Sequence, residues 1–439
     1  MAQLKWIVCA LALVLAGALP ARAVDLLRDA DVEYGLAQLA APVLRGAGLS
    51  PNQVRVMVVD DTGLNAFVAD TQHIFINSGM ILKLESAGAL QSVIAHEAAH
   101  ITNGHITRRL GNMRNARTAT GLGMALALAA GAATGSAEAA VGVAAGTSSS
   151  AMRRFLSHTR AEEAAADQSA VRAMVRAGID PRGAVEVFEI FRGQEALSVG
   201  RQDPYMQTHP LTRDRMRALE GFVAAYGKSL PDDPTAAYWF ARVQGKISAF
   251  TRAPSWTLRR AGSSPSRDIA LMREAAAHHR QSDLGRALAA IDGALALRPR
   301  DPYLMELKGQ ILLENRRAGP AVQVYQNAVS LAPGHALILG GLGRALLAAG
   351  NPQAALQALE QSRSRDFRDA RVLRDLAAAY AQTGQPGMAS AVTAERYALQ
   401  GRLKDAGIHA TRAMGLLPRG SAAWQRSQDV LSAAERAAR

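Results

Sequence analysis

The chain has 439 residues, 49% of them apolar and 20% charged, enough to bury a substantial core and too many for one ordinary domain. Aromatics make up only 5%, and the apolar residues recur in long stretches at helical spacing, which excludes an all-β sandwich or barrel, collagen and wholesale disorder. The formal charge of +13 comes mostly from scattered Arg with no basic stripe interleaved with aromatics, so it is a surface property and nucleic acid is not an expected partner.

The first 23 residues stand apart. Lys5 gives a positive start, Trp6 to Leu19 form an apolar run short for a membrane span, and Ala21-Arg22-Ala23 has the form of a cleavage site. This is the pattern of a cleaved signal peptide (1–23), with an uncleaved anchor as the alternative. Cys9, the only cysteine, lies inside that apolar run, so a mature chain holds no disulfide.

Helical spacing covers Asp25 to Gly48. The β-branched run Val54 to Val59 ends at Asp60-Asp61-Thr62-Gly63, and Asn65-Ala66-Phe67-Val68 and His73-Ile74-Phe75-Ile76-Asn77 add two short strands. A small antiparallel sheet is expected. Leu90 to His105 then predicts a helix with Leu90, Val93, Ile94 and Ile101 near one face. Thr118 to Ser150 is almost all Ala, Gly, Val, Leu, Ser and Thr, with Glu138 its one charge. A small-residue loop or a buried helix is the plain reading of this segment, and packing against lipid or plugging a cleft the sharper one. Residues 157–226 are helical in pattern, broken by Gly178-Ile179-Asp180-Pro181 and by Thr208-His209-Pro210. Pro231, Pro234, Pro254 and Pro265 mark a transition.

A repeat follows. Ala287, Ala321, Ala355 and Ala389 stand 34 residues apart, and twelve positions before each is a small residue: Ala275, Gly309, Gly343 and Ala377. Pro299 and Pro333 follow the first two by twelve positions. This is the signature of stacked helical hairpins, resembling the tetratricopeptide repeat. The period then slips by 17 residues to Ala394, Ala406 and Pro418, and Phe367 replaces the third proline.

His96-Glu97-Ala98-Ala99-His100 fits H-E-x-x-H. Four residues along a helix return nearly to the same face, so His96 and His100 can offer two imidazole nitrogens to one Zn²⁺, with Glu97 beside them as base for a water. Asn103 and Ile106 exclude the metzincin continuation. His105 is expected to face a ligand or solvent rather than ligate. A third ligand from Glu163-Ala164-Ala165-Ala166-Asp167 is the natural alternative: Glu163 competes with Glu162 as ligand, and Asp167 can orient a ligand histidine.

H-E-x-x-H followed by E-x-x-A-D, preceded by Asn65-Ala66-Phe67 and by Ile76-Asn77-Ser78-Gly79, resembles the HtpX and CaaX-prenyl-endopeptidase class of zinc metallopeptidases. With a signal peptide in front and repeats behind, the chain is similar to the periplasmic, repeat-bearing members of that class. The resemblance implies an α+β zincin-type metallopeptidase domain over 24–260 and an all-α tetratricopeptide-like domain over 261–439. It implies one Zn²⁺ per chain held by His96, His100 and Glu163, with Glu97 as catalytic base. It places His209 near the metal as a regulatory fourth ligand, with Arg215 supporting the site. Asn65 and the strand Ile74, Phe75, Ile76 and Asn77 are expected to lie along the substrate, with His73 just before that edge. Endoproteolysis of unfolded or misfolded proteins in the periplasm is the implied activity, with the outer-membrane β-barrel assembly machinery as partner and peripheral membrane contact. A chaperone or scaffold with a gated metal site, or a membrane-anchored peptidase, are the competing readings.

Overall fold

In the computed structural model the described residues are 26–109, 159–198, 201–226, 230 and 233–438. The expected signal segment 1–23 and the Ala/Gly-rich stretch 118–150 lie outside them. Among the described residues no helix is long and apolar enough to cross a membrane.

Strand β1 (Leu26–Leu27) precedes α1 (Ala30–Gly46). The Asp29 carboxylate caps that helix by accepting from the backbone N–H groups of Asp31 and Val32 at 2.9 and 3.0 Å, so the helix starts later than its spacing suggests. With β2 (Arg55–Val59), β3 (Ala66–Val68) and β4 (His73–Asn77), β1 forms a four-stranded sheet in the order β1-β2-β4-β3. The sheet is mixed rather than antiparallel: β2 and β4 run parallel, while the β1–β2 and β3–β4 pairs are antiparallel.

Two connections cause this order. After β2 the Asp61 carbonyl accepts from the Gly79 N–H at 2.9 Å and from the Ser78 hydroxyl at 3.0 Å, which ties the loop to the far end of β4 instead of turning it back as a hairpin. A Cβ on Gly79 would stand 2.0 Å from the Thr62 carbonyl oxygen, so only glycine permits this approach. Between β3 and β4, the Asp70 carboxylate accepts from the N–H groups of Gln72 and His73 at 2.7 and 2.8 Å and closes a tight hairpin. Strand β4 is therefore interior. Ile74, Phe75 and Ile76 are paired with β2 on one side and β3 on the other, and Asn77 pairs with β2 and donates its N–H to Asn65 O, so they do not form the substrate edge expected of them. The sheet's edges are β1 and β3.

Helices α2 (Ser78–Lys83), α3 (Ala87–Thr102), α4 (Arg160–Arg176), α5 (Arg182–Ile190), α6 (Pro204–Thr208), α7 (Arg213–Tyr226) and α8 (Pro234–Thr251) follow. One apolar core joins the sheet to them through Leu36, Ile76, Leu90, Ile94, Val171, Phe188 and Phe240. Every residue of α3 from Ala89 to Ile101 is buried, so this helix runs through the centre rather than lying on it.

Beyond α9 (Pro254–Ala261) the repeat helices are α10 (Arg267–Arg280), α11 (Leu284–Leu297), α12 (Pro302–Glu314), α13 (Ala318–Leu331), α14 (Ala336–Ala348), α15 (Pro352–Arg365), α16 (Ala370–Gln382), α17 (Pro386–Leu399), α18 (Leu403–Leu416) and α19 (Ala422–Ala438). The small residues sit where helices cross: a Cβ on Gly343 would stand 2.4 Å from Leu359 Cγ. Ala287, Ala321 and Ala355 are fully buried, and so are Ala394 and Ala406 after the half-period slip. Helix α17 accommodates that slip by packing on α16, α18 and α19 together.

The two halves interlock. Helix α8 packs on both α1 and α10, and the loop between α15 and α16 returns to the sheet. There Asp366 pairs with Arg28 at 2.7 Å and Arg55 at 3.1 Å, and Arg368 donates to His73 Nε2 at 3.0 Å. Against the effect of burial, the Arg28 and Arg55 guanidiniums hold the Asp366 carboxyl down to about 2. A native value below the unfolded ~3.9 means stabilisation that is complete above about pH 5 and lost as pH falls through about 2. Asp366→Asn is thus expected to cost about 2 kcal/mol at pH 7 and little near pH 2. Thermal unfolding of both proteins should show a gap in Tm at pH 7 that closes on acidification; a gap of constant size would disprove the linkage.

Candidate active site and metal centre

Ser86 caps α3 by accepting from the Ala89 N–H at 3.0 Å, and Gly104, at φ +69°, follows its end. Within this buried helix His96 and His100 bring their Nε2 atoms to 3.1 Å. Helix α4 supplies the neighbouring carboxylate. Thr159 and Glu162 form a capping box at its start, and Glu162 also faces Arg108 and Arg109 at the rim. Glu163, one residue on, points inward with no exposure: Oε2 lies 3.4 Å from His96 Nε2 and Oε1 3.3 Å from His100 Nε2. The geometry therefore separates the two acids that the spacing alone left in competition.

His209 comes from the turn after α6. Its Nδ1 lies 3.3 Å from His96 Nε2 and 3.0 Å from Glu163 Oε1. One ligand atom from each of His96, His100, Glu163 and His209 lies within 4.8 Å of all the others, and all four side chains are buried. Tetrahedral coordination with bonds of ~2.0–2.2 Å places ligand atoms roughly 3.3–3.6 Å apart. Five of the six pairs approach to 3.0–3.4 Å and the whole set lies within 4.8 Å, a grouping that a metal ion with nitrogen and oxygen ligands could draw together.

A surrounding layer orients these groups. Asp167 Oδ1 stands 3.1 Å from His96 Nδ1, which turns the other ring nitrogen toward the cluster. Arg215 of α7 donates to both Asp167 oxygens at 2.8 Å and to the Pro210 carbonyl at 2.8 Å, and lies 2.8 Å from Glu163 Oε2. The Phe188 ring lies 5.4 Å from its guanidinium carbon. Against burial, His209 and His96 hold the Glu163 carboxyl well below the usual range, and the His96 contact and Arg215 lower that of Asp167. His105 is buried with Nδ1 2.8 Å from His100 Nδ1, so it neighbours the cluster.

Glu97 differs from the other acids. It has no exposure and, among the described residues, neither carboxylate oxygen has a hydrogen bond, the facing group being His209 Nε2 at 3.4 Å. Burial pushes its carboxyl up. The same His209 Nε2 lies 3.2 Å from the Ala66 carbonyl of edge strand β3.

Seven of the residues singled out in the sequence thus converge: His96, Glu97, His100, Glu163, Asp167, His209 and Arg215. Asn65 is buried beside them and accepts from the Thr208 hydroxyl at 3.3 Å, linking the start of β3 to α6. Ile74, Phe75, Ile76 and Asn77 stay within the sheet, with the Asn77 amide donating to the Gly63 carbonyl at 3.1 Å. Tyr205 escaped the sequence reading. Its ring lies 4.6 Å from the His209 ring and 5.0 Å from Phe191, and burial pushes its phenol well up. Its position four residues before His209 was the only available signal.

Residues 27–223 match Peptidase family M48, and residues 272–336 and 312–380 match tetratricopeptide repeats. A Yersinia pestis protein named beta-barrel assembly-enhancing protease is 24% identical over 373 residues, covering 83% of this chain and 74% of that one. A Vibrio cholerae relative is 26% identical over 220 residues, covering 45% of this chain, and the match spans only 44% of that protein's length. A solved structure of MamA from Desulfovibrio magneticus RS-1 aligns with 44% of this chain and 97% of that one at 20% identity and a TM-score of 0.31. The chain carries a metalloprotease domain of Peptidase family M48 and, behind it, tetratricopeptide repeats.

Proposed function

We propose that this chain is a periplasmic zinc endopeptidase that cleaves misfolded or stalled outer-membrane proteins, with repeats that bind substrate or partner and add chaperone activity. The buried cluster of His96, His100, Glu163 and His209 with Glu97 at its side carries this reading. The name of the Yersinia relative supports the client class, and the amino-terminal leader pattern supports export. The division of labour falls near residue 260, with 24–260 as peptidase and 261–439 as repeat domain.

His96, His100 and Glu163 would hold one zinc ion per chain. When bound, zinc supplies Lewis-acid polarisation of the scissile carbonyl and lowers the pKa of a water toward ~7. Glu97 takes the proton from the attacking water and delivers it to the leaving amine nitrogen, a transfer its buried, unbonded carboxylate is placed for. Asp167 fixes the His96 ring, and Arg215 fixes Asp167 and Glu163. The substrate strand adds to β3 at Ala66 to Val68, an edge of the sheet, in place of the interior Ile74 to Asn77.

A second reading, mainly a chaperone with a gated metal site, draws on His209, which faces the ligand cluster, Glu97 and the β3 edge at once. Metal analysis and cleavage of unfolded casein separate the two. One zinc per chain, activity lost to a chelator and recovered with Zn²⁺ are expected for the peptidase. Stoichiometric zinc without cleavage, in wild type and in His209→Ala alike, would favour the chaperone, and failure to bind zinc would remove the site assignment.

A further inference from the structure

Between residues 252 and 267 the chain carries four arginines and no carboxylate. This stretch joins the peptidase helices to the repeats and is built around α9, which packs on α10 and, at its start, on α8. Thr257 and Ala261 form the buried face of α9, so the opposite face carries Arg259, with Trp256 and Arg260 beside it one helical turn apart. The Arg260 guanidinium lies over the Trp256 ring at 4.6 Å. Arg252, Arg259 and Arg260 are exposed, and Trp256 and Leu258 are half-buried among them.

Farther along the repeats the arginines are widely balanced by acids: Arg344 pairs with Asp375, Arg363 with Glu395, and Arg402 with Asp405. Around α9 they are not. Among the described residues Arg252, Arg259, Arg260, Arg273 and Arg280 have no carboxylate partner. Arg280 donates to the Ala249 carbonyl at 2.9 Å, and Arg273 donates to the Arg260 carbonyl at 3.2 Å and to the Ser264 hydroxyl at 2.8 Å. Arg273 lies beneath the patch, 9% exposed, with its Nε unbonded among the described residues. Burial and the nearby Arg260 push its guanidinium pKa down, and no carboxylate among the described residues offsets them. The acids near α9 are committed: Glu274 pairs with Arg267 at 3.5 Å, and Asp268 with Arg298 and the Tyr238 hydroxyl. Across the adjoining cavity stand Glu85, Asp180 and Asp233, of which Asp180 pairs with Arg182 and Asp233 caps α8, and none of the three acts on Arg273. The field at this face is therefore positive.

We propose that the α9 face docks on a membrane surface rich in anionic lipid, with Arg252, Arg259 and Arg260 on the lipid phosphates and Trp256 at the headgroup boundary. Exposed guanidiniums around an indole ring suit a fluid interface, where phosphates move to the charges and no fixed geometry is required. The leader pattern supports export to a compartment bounded by membrane, which favours lipid over nucleic acid as the polyanion met there. None of these residues belongs to the metal cluster, so docking stands or falls separately from the cleavage chemistry.

The test is co-sedimentation of the exported chain, as recovered from the producing cell, with vesicles of phosphatidylglycerol and phosphatidylcholine in equal parts, compared with pure phosphatidylcholine. At about 0.1 M salt the anionic vesicles are expected to bind at least tenfold more tightly, and the difference to shrink as salt rises. One arginine at an anionic surface strengthens binding roughly fivefold, so the triple variant Arg252→Gln, Arg259→Gln, Arg260→Gln should lose at least tenfold with its melting temperature unchanged. The same three positions changed to Lys should retain binding, which separates lost charge from a disturbed helix. A matched triple variant, Arg300→Gln, Arg317→Gln, Arg419→Gln, removes equal charge from exposed positions on the repeats and should bind as the parent does. Brominated phosphatidylglycerol in the vesicles should quench the parent's tryptophan fluorescence, and quench Trp256→Phe less. Equal loss in the two Gln variants, equal binding to both vesicle types, or quenching unchanged by Trp256→Phe overturns the proposal. So does a labelled DNA duplex or polyglutamate that binds more tightly than the anionic vesicles through the same three arginines, since the face would then belong to that polyanion.

Discussion

Glu97→Gln is expected to abolish peptide cleavage while leaving the zinc in place. The substitution keeps shape and volume and removes only the capacity to accept a proton. General-base catalysis contributes on the order of 10²–10⁴-fold, so kcat should fall by about that factor with little change in KM. Metal should be retained because Glu97 contributes no atom to the four-residue ligand set. Stability should not suffer either: the carboxylate is fully buried and, among the described residues, without hydrogen bonds, and an amide is cheaper to bury than a charge. Glu163→Gln makes the instructive contrast, since it removes a ligand charge and one of the two carboxylates paired with the buried Arg215 guanidinium, 2.8 Å away, so both zinc content and melting temperature should drop. Kinetics on a quenched peptide with metal analysis of each protein decide the matter. Glu97→Gln that still cleaves within tenfold of wild type, or that loses its zinc, would exclude Glu97 from the role of base.

The parts of this site legible in the sequence are those set by local helix geometry. His96 and His100, and Glu163 and Asp167, are each four residues apart, and any helix turns such pairs to one face. The repeat was equally open, because helices that cross closely demand a small residue at a fixed interval, as Gly309 under Tyr325 and Gly343 under Leu359 show. What stayed hidden depends on contacts that no short-range period encodes. Strand order turned on Asp61 bonding to Gly79 beyond β4, which made β3 rather than β4 the edge. Tyr205 meets His209 through the geometry of a five-residue helix and a proline turn. Arg28 and Asp366 meet across 338 residues, and nothing near either residue announces the other. Local chemistry was therefore readable, and the surfaces that present substrate to it were not.

His209→Ala is expected to raise the rate of cleavage. On the proposed mechanism this side chain stands in the way of three requirements of the reaction together. Its Nδ1 sits in the ligand cluster where a fourth position must open for water and substrate. Its Nε2 faces the Ala66 carbonyl, at the edge a substrate strand must pair with, and the same atom lies 3.4 Å from Glu97 Oε1. Tyr205 supports the ring from behind. A hydrogen bond to a charged partner stabilises by about 1.5–3 kcal/mol and an aromatic contact by about 0.5–1.5. A seated state favoured by about 2–3 kcal/mol leaves only a few per cent of molecules open, so its removal should increase kcat/KM on the order of 10–100-fold. Zinc should remain bound through His96, His100 and Glu163, more weakly for want of the fourth ligand, and the assay therefore needs zinc in excess. Combining His209→Ala with Glu97→Gln should return activity to background, because an open gate without a base does not hydrolyse peptides. The opposite sign is equally informative: a fall in kcat/KM with zinc still bound would make His209 a contributor to the transition state rather than an obstruction, and the closed geometry would then be a resting pose with no regulatory weight.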